Sequence, residues 1–235
     1  MKPDKSNAAR IPDGHAYSRY TSGQDVFQPW QIDRGIATLM RDLINRGSIT
    51  LVDWDRMWTL KWAFAQTAKL NDEIWELGVY RGGSALFLKR LIEQSGAPSK
   101  LRLFDSFEGL PTPTSNIDLH NRGDFADTSL DEVKALLGTE SFIDYRKGWI
   151  PNTFDGLEGS EIRFAHIDLD LYQPMLDACT FVYPRLKPGG VLVLDDYGLD
   201  TCPGVRKAVD TFFADCYDIP LCLPTGQAIL VKHCS

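Results

Sequence analysis

From Glu73 to Leu194, short apolar runs alternate with longer segments whose apolar residues recur every three or four positions. The runs EIWELG, LRLFDS, FIDYRKG, IRFAHID and GVLVLDD predict five strands, and those that are apolar almost throughout read as buried parallel strands. Helices are expected through SALFLKRLIEQS, from Leu130 to Leu137, from Gln173 to Leu186 and from Gly204 to Cys216. The last of these puts Val205, Ala208, Val209, Phe212 and Phe213 on one face. Lys187-Pro188-Gly189-Gly190 reads as the break that closes the Gln173–Leu186 crossover. IPLCLPT and QAILVKH, either side of Thr225-Gly226, predict a closing hairpin. Strand–helix alternation argues for a doubly wound α/β sheet, to which a terminal antiparallel hairpin is an unusual addition.

Upstream, Ile36, Leu39, Met40, Leu43 and Ile44 share one helical face. A second helix after Asp53 carries Met57, Leu60, Trp62, Phe64 and Ala65. Residues 1 to about 30 lack periodicity but hold Tyr17, Tyr20, Phe27 and Trp30. This arm is expected to pack on a partner, a second subunit or the mouth of the site. The chain therefore divides into an arm and helix, 1–52, and an α/β domain, 53–235. At 235 residues it suits one such domain with an appendage.

Composition narrows the function classes. The net charge is −7 and no lysine–arginine block stands out, which argues against nucleic acid or an anionic membrane as partner. No apolar run approaches the ~20 residues that span a bilayer. The polar first 30 residues lack a signal core. Cys179, Cys202, Cys216, Cys222 and Cys234 show neither close pairing nor zinc-finger spacing to a histidine, so they read as reduced thiols in a cytoplasmic protein.

The first strand ends in Glu76-Leu77-Gly78-Val79-Tyr80-Arg81-Gly82-Gly83-Ser84. Glycines at a strand-to-helix turn let a ligand approach the backbone, and the helix start offers N–H groups. The spacing matches neither a dinucleotide fingerprint nor a phosphate-binding loop. Asp105, ending the second strand ahead of Ser106, is placed to accept hydrogen bonds from ribose hydroxyls. Glu76 suits a ligand's ammonium group or a brace for the turn. Gly148 and Trp149, after the third strand, are candidates for an adenine wall. A nucleoside without phosphates fits this set, and S-adenosylmethionine is one. The candidate cofactor residues are Glu76, Gly78, Tyr80, Gly82, Ser84, Asp105, Ser106, Gly148, Trp149 and Asp168.

Two acidic clusters follow, Asp168 and Asp170 in FAHIDLDLY and Asp195 and Asp196 in VLVLDDYG. A right-handed crossover puts both strand ends on one sheet edge, where open α/β sheets bind ligands. Carboxylates converging there call for a cation, and magnesium takes near-octahedral oxygen ligands at about 2.0–2.1 Å. Asp195 and Asp196 point to opposite sides if extended, so both can ligate only where the strand gives way to a turn. Metal coordination would activate an acceptor hydroxyl for attack on a sulfonium methyl, and a carboxylate at the metal would take its proton. Asp168 is the candidate for joint ligand and base, with Asp170 the runner-up. His166 reads as a satisfied core histidine and His120 as a group that touches substrate. Arg206 pairs with the acids, with an acceptor, or lies on the surface.

WELGVYRGGS, LFDSFEGLP, HIDLDLY, YPRLKPGGVLVLDDYG and PGVRKAVDTFF together resemble the macrocin O-methyltransferase (TylF-like) family over about residues 53–233. The resemblance implies a Rossmann-like class I methyltransferase fold: a mostly parallel seven-stranded sheet, its last strand antiparallel, with helices on both faces. It also implies S-adenosylmethionine, magnesium and methyl transfer to a sugar hydroxyl in natural-product tailoring. Asp168, Asp195 and Asp196 resemble the family's metal ligands, Asp168 its general base and Asp105 its ribose binder. Gln173-Pro174-Met175 departs from the polar start expected of the following helix, which puts the acceptor in question. The expected partner is a hydroxyl-bearing small molecule, and the expected assembly a homo-oligomer, dimer or higher. Two rival readings are a glycosyltransferase using Asp168-x-Asp170 to grip a metal and a nucleotide sugar, and a non-catalytic nucleoside-binding module.

Overall fold

The apolar runs all become strands in the computed structural model, which describes residues 27–46, 50–96 and 99–233. The strands are β1 (Glu73–Leu77), β2 (Leu101–Asp105), β3 (Ile143–Lys147), β4 (Ile162–Ile167), β5 (Leu186–Leu194), β6 (Leu221–Cys222) and β7 (Ala228–Val231). They form one sheet in the order β3-β2-β1-β4-β5-β7-β6. All pairings from β3 across to β5 are parallel, and β7 runs antiparallel to both β5 and β6. The terminal hairpin thus supplies the antiparallel strand, as the resemblance implied.

Seven helices accompany the sheet among the described residues: α1 (Pro29–Ile32), α2 (Arg34–Asn45), α3 (Trp54–Gln66), α4 (Gly83–Ser95), α5 (Leu130–Leu137), α6 (Tyr172–Arg185) and α7 (Pro203–Phe213). Strand side chains alternate between two cores. Ile74, Phe164, Val191 and Val193 join residues of α2, α3, α4 and α5 on one face. Trp75, Leu77, Ala165, Ile167, Leu192 and Leu194 join α6 and α7 on the other. Helices therefore cover both faces, which is why β1, β2 and β4 are buried at nearly every position, the polar Glu76, Arg102, Arg163 and His166 among them.

Three expectations change in detail. Lys187-Pro188-Gly189-Gly190 does not lie outside the strands; it sits within β5. Ile162 pairs with Leu186 and Phe164 with Val191, so the extra residues bulge out between two fixed pairs. The bulge is pinned from the other side, where Gly189 N–H donates to the Lys232 carbonyl at 2.7 Å. Second, α3 buries Met57, Leu60, Ala63 and Phe64, whereas Trp62 and Ala65 are exposed. Third, Ile44 at the end of α2 is exposed, while Ile36, Met40 and Leu43 are buried. Of the aromatic arm, Tyr17 and Tyr20 lie outside the described residues, as does Cys234. Phe27 is exposed, and Trp30 packs against the same core as α2 and α3.

Candidate functional site

A cavity of about 270 Å³ opens at the carboxyl ends of the strands. Its walls meet where β1 and β4 lie side by side, the point at which the strand order reverses. Gly78, Tyr80, Ser84, Asp105, Ser106, Gly148, Trp149, Asp168, Asp170 and Asp196 line it. Glu76, Gly82 and Asp195 do not.

On the β1–β2 side, the turn after β1 is held by Asp105. One Asp105 carboxylate oxygen accepts the Val79 and Tyr80 N–H groups at 2.7 and 2.9 Å, and the other accepts Phe107 N–H at 2.7 Å. The acid at the tip of β2 is therefore a brace for the turn, with acceptor capacity left over. Gly78 has φ +88°, and a β-carbon there would lie 1.7 Å from the Asp168 carbonyl oxygen. Gly82, at φ +86°, caps α4 and faces Leu136 and Val133. The first N–H groups of α4 have no partners within their own helix. Gly78 and the start of α4 form a cradle that a nucleoside or an α-carboxylate can approach closely.

Glu76 lies inside the protein. It is fully buried, and its Oε1 lies 3.1 Å from His166 Nδ1. His166 Nε2 is 3.4 Å from Asp195 Oδ1, which also accepts Gln227 Nε2 at 2.6 Å. The second Asp195 oxygen accepts the Arg56 guanidinium, which also donates to the Leu51 carbonyl. Burial opposes the charge on His166, but its hydrogen bonds to the two carboxylates outweigh that and push its pKa up to about 10. Burial likewise opposes the charge on Asp195, yet His166, Arg56 and Gln227 hold it below the ordinary carboxylate range. His166 is a satisfied core histidine, and its two partners are both charged groups that sequence reading treated separately.

Asp195 and Asp196 follow the last residue of β5 in a turn, and they face opposite ways. Asp195 turns to the His166 network, and Asp196 to the cavity. Oxygens of Asp168, Asp170 and Asp196 lie within 4.8 Å of one another, and so do ligand atoms of His166, Asp168 and Asp195. Asp168 belongs to both groups. Burial, then mutual repulsion, raises the pKa of all three cavity acids: Asp168 well above its usual value, Asp170 and Asp196 to about 8. Asp196 Oδ2 is buried and accepts no hydrogen bond from any described residue. An all-carboxylate set with an orphaned oxygen fits a hard divalent cation.

The segment 111–127 closes the other side. Asp118 accepts Thr114 N–H at 2.7 Å and Tyr172 N–H at 2.8 Å, fastening the segment to the start of α6. Tyr80 hydroxyl donates to Asp127. His120 reaches the cavity, whereas Arg206 lies outside it in a shallow groove with Asn116, Lys207 and Asp210. Sequence reading missed Arg56, Gln227 and Asp118. Arg56 follows an ordinary helix start, and nothing local distinguishes it from a surface arginine; Gln227 had only its place beside the Thr225-Gly226 turn.

The family model described as Macrocin-O-methyltransferase (TylF) matches residues 24–219. The 8-demethyl-8-(2,3-dimethoxy-alpha-L-rhamnosyl)-tetracenomycin-C 4'-O-methyltransferase of Streptomyces olivaceus is 30% identical over 149 residues, 58% of this chain and 56% of that protein. The mycinamicin III 3''-O-methyltransferase of Micromonospora griseorubida is 28% identical over 154 residues, 60% of this chain and 59% of that protein. The chain thus spans less than two thirds of the length of the curated relatives it matches. The structure of the O-methyltransferase NovP superposes with TM-score 0.71 at 23% identity, covering 78% of this chain and 82% of that one. Calicheamicin methyltransferase CalS11 superposes with TM-score 0.66 at 17% identity, covering 91% and 99%. At these identities the two structures bear on the fold.

Proposed function

This chain belongs to the macrocin O-methyltransferase family, and on that premise we propose that it transfers a methyl group from S-adenosylmethionine to a hydroxyl of a sugar-bearing small molecule, with a divalent metal such as magnesium. One observation carries the reading: a single cavity is lined both by the glycine turn after β1 with Asp105 and by Asp168, Asp170 and Asp196, with the buried Asp196 Oδ2 left without a partner among the described residues. The tetracenomycin relative has a rhamnosyl group in its substrate's name, and the sugar-bearing acceptor is taken from it.

S-adenosylmethionine would lie along Gly78, Tyr80 and Ser84, with Ser106, Gly148 and Trp149 around its nucleoside and the remaining acceptor capacity of Asp105 turned to the ribose. Glu76 and Gly82 would support the cradle from behind. The metal would be held by Asp168, Asp170 and Asp196, whose oxygens converge in the cavity, with Asp195, the ligand the family resemblance implies, as the alternative to Asp170 once released from Arg56. When bound, it would lower the pKa of the acceptor hydroxyl and balance the charge of the acids. Asp168 would take the hydroxyl proton, since its carboxylate borders both ligand groups and the cavity. The buried Glu76–His166–Asp195 chain would keep the end of β5 in register with the end of β4. Bound together in this one cavity, the two reactants would be aligned for direct transfer.

The test is thermal denaturation with S-adenosylhomocysteine, followed by a screen of glycosylated and phenolic acceptors with methyl-labelled S-adenosylmethionine, with and without Mg²⁺. Stabilisation by S-adenosylhomocysteine and metal-dependent label transfer are expected. Absence of any S-adenosylmethionine binding would overturn the proposal. Stabilisation only by a nucleoside diphosphate with metal would favour glycosyl transfer.

A further inference from the structure

We propose that His120, Asp170 and Cys202 form a second cation site, for a thiophilic divalent ion such as Zn²⁺, on the acceptor side of the cavity. The three side chains come from separate parts of the fold: the 111–127 segment, the loop after β4 and the residue before α7. Their ligand atoms form a nearly equilateral triangle. His120 Nε2 and Cys202 Sγ are 3.6 Å apart, Cys202 Sγ and Asp170 Oδ1 3.7 Å, and His120 Nε2 and Asp170 Oδ1 3.8 Å. A tetrahedral zinc ion, with bonds of about 2.3 Å to sulfur and about 2.0–2.2 Å to nitrogen and oxygen, sets its ligand atoms roughly 3.3–3.6 Å apart. The triangle is one face of that tetrahedron, to within a few tenths of an ångström.

A second feature supports the same assignment. A metal-binding histidine usually directs its other ring nitrogen to a carboxylate, which fixes the tautomer and the ring plane. His120 does so: Nδ1 lies 3.3 Å from Asp124 Oδ2, and the ring packs on Phe125 with centroids 5.4 Å apart. Asp124 is itself held, by the Asn121 N–H at 2.9 Å. Asp170 reaches its place through a left-handed backbone conformation, φ +58°, uncommon for a residue other than glycine. Backbone geometry of this kind persists where the surroundings over-determine it.

The donor set separates the two cation sites. Imidazole, thiolate and one carboxylate select zinc-like ions, while the all-oxygen set of Asp168, Asp170 and Asp196 suits magnesium. Asp170 belongs to both, so its carboxylate can bridge them. All three side chains line the cavity, so the fourth position of the tetrahedron faces the space an acceptor would enter. Binding releases the Cys202 thiol proton to solvent, because the ligand is the thiolate.

The experiment titrates the full chain with Zn²⁺ by calorimetry in saturating Mg²⁺, and with Co²⁺ by absorption. One Zn²⁺ should bind per chain under excess Mg²⁺, and Co²⁺ should give a thiolate-to-metal charge-transfer band. Cys202→Ser should abolish the band, His120→Ala should weaken Zn²⁺ binding at least ~10-fold, and Asp124→Asn should weaken it about 10–100-fold. Cys222→Ser should leave the band in place. Zn²⁺ affinity unchanged in both His120→Ala and Cys202→Ser, or a Co²⁺ complex without the band, would overturn the assignment. Neither readout depends on methyl transfer, so it can fail while the proposed activity stands.

Discussion

Gly78 lies directly against Asp168: a β-carbon on the glycine would sit 1.7 Å from the Asp168 carbonyl oxygen. The same contact is cemented by Asp168 N–H donating to the Leu77 carbonyl at 2.8 Å. The glycine turn after β1 and the first acid of the carboxylate cluster therefore share one backbone junction. Gly78→Ala must move that junction as well as adopt φ +88°. It should lower stability by at least ~2 kcal/mol, read as a lower urea midpoint with unchanged slope. A wild-type midpoint would show that the junction gives way more easily than this contact implies.

Asp168→Asn keeps the size of the side chain but removes its capacity to take a proton. Turnover should fall about 10²–10⁴-fold, the usual contribution of a positioned base. Binding of S-adenosylhomocysteine, followed by calorimetry, should change little, because Asp168 meets the cradle through its backbone. Full retained turnover would remove Asp168 from the chemistry.

Arg56 is, with His166, a counter-charge that the chain itself supplies to the acid cluster. Its guanidinium joins Asp195 to the Leu51 carbonyl, and so ties the segment before α3 to the end of β5. Arg56→Gln should be strongly destabilising in chelator, about 3–5 kcal/mol as for other broken buried pairs. Saturating Mg²⁺ should recover part of that loss by supplying positive charge to the same acids. A deficit of the same size with and without Mg²⁺ would show that Arg56 acts through packing alone.

The raised acids fix the sign of a pH effect. Asp170 and Asp196 titrate at about 8 in the fold, against about 3.9 in an unfolded chain, and Asp168 is raised in the same sense. Their protonated forms favour the fold, so that contribution is complete below about pH 4 and is lost as pH rises through 8. His166, at about 10 in the fold, adds stability that is complete below about pH 6.5 and lost towards pH 10. Asp195 is lowered, so its contribution is already present throughout this range. Without metal, the melting temperature should fall from pH 5 to 9. Magnesium needs the ionised acids, so its affinity should climb across the same interval with proton release on binding. A metal-free melting temperature that rises across that range would contradict these assignments.

The fold was legible because its signals are local and repeated. Five strands, the crossover helices and the closing hairpin each announce themselves within ten or so residues. Lys187-Pro188-Gly189-Gly190 misled because proline and glycine usually end a strand; here the flanking pairs to β4 and the backbone hydrogen bonds exchanged with Lys232 outweigh that preference. The site was legible as a set of residue types at strand ends. Its wiring was not, because Arg56 and Asp195 are 139 residues apart and only the folded sheet brings them together. Strand geometry lets Asp195 and Asp196 ligate together only where the strand gives way to a turn; they do lie in a turn, yet Asp195 faces the His166 network and, of the two, only Asp196 lines the cavity. Asp105 is the converse case, where the position was readable but its use as a brace required the turn to be seen.

Asp118 makes the outer wall of the cavity an exchangeable part. Its carboxylate anchors one end of the loop, and the paired backbone bonds between Leu110 and the Gly123–Asp124 stretch close the other. Between these two fixings Leu119 and Arg122 are exposed, while His120 and Asn121 are bonded to Asp124, so inherited change at the exposed pair can redraw the wall while the sheet keeps its register. Change at Asp118 or Gly204 has no such freedom, since the glycine leaves the space that the carboxylate oxygen fills. A lineage, or a designed library, can therefore reshape this wall at those exposed positions, leaving the glycine turn after β1 as inherited.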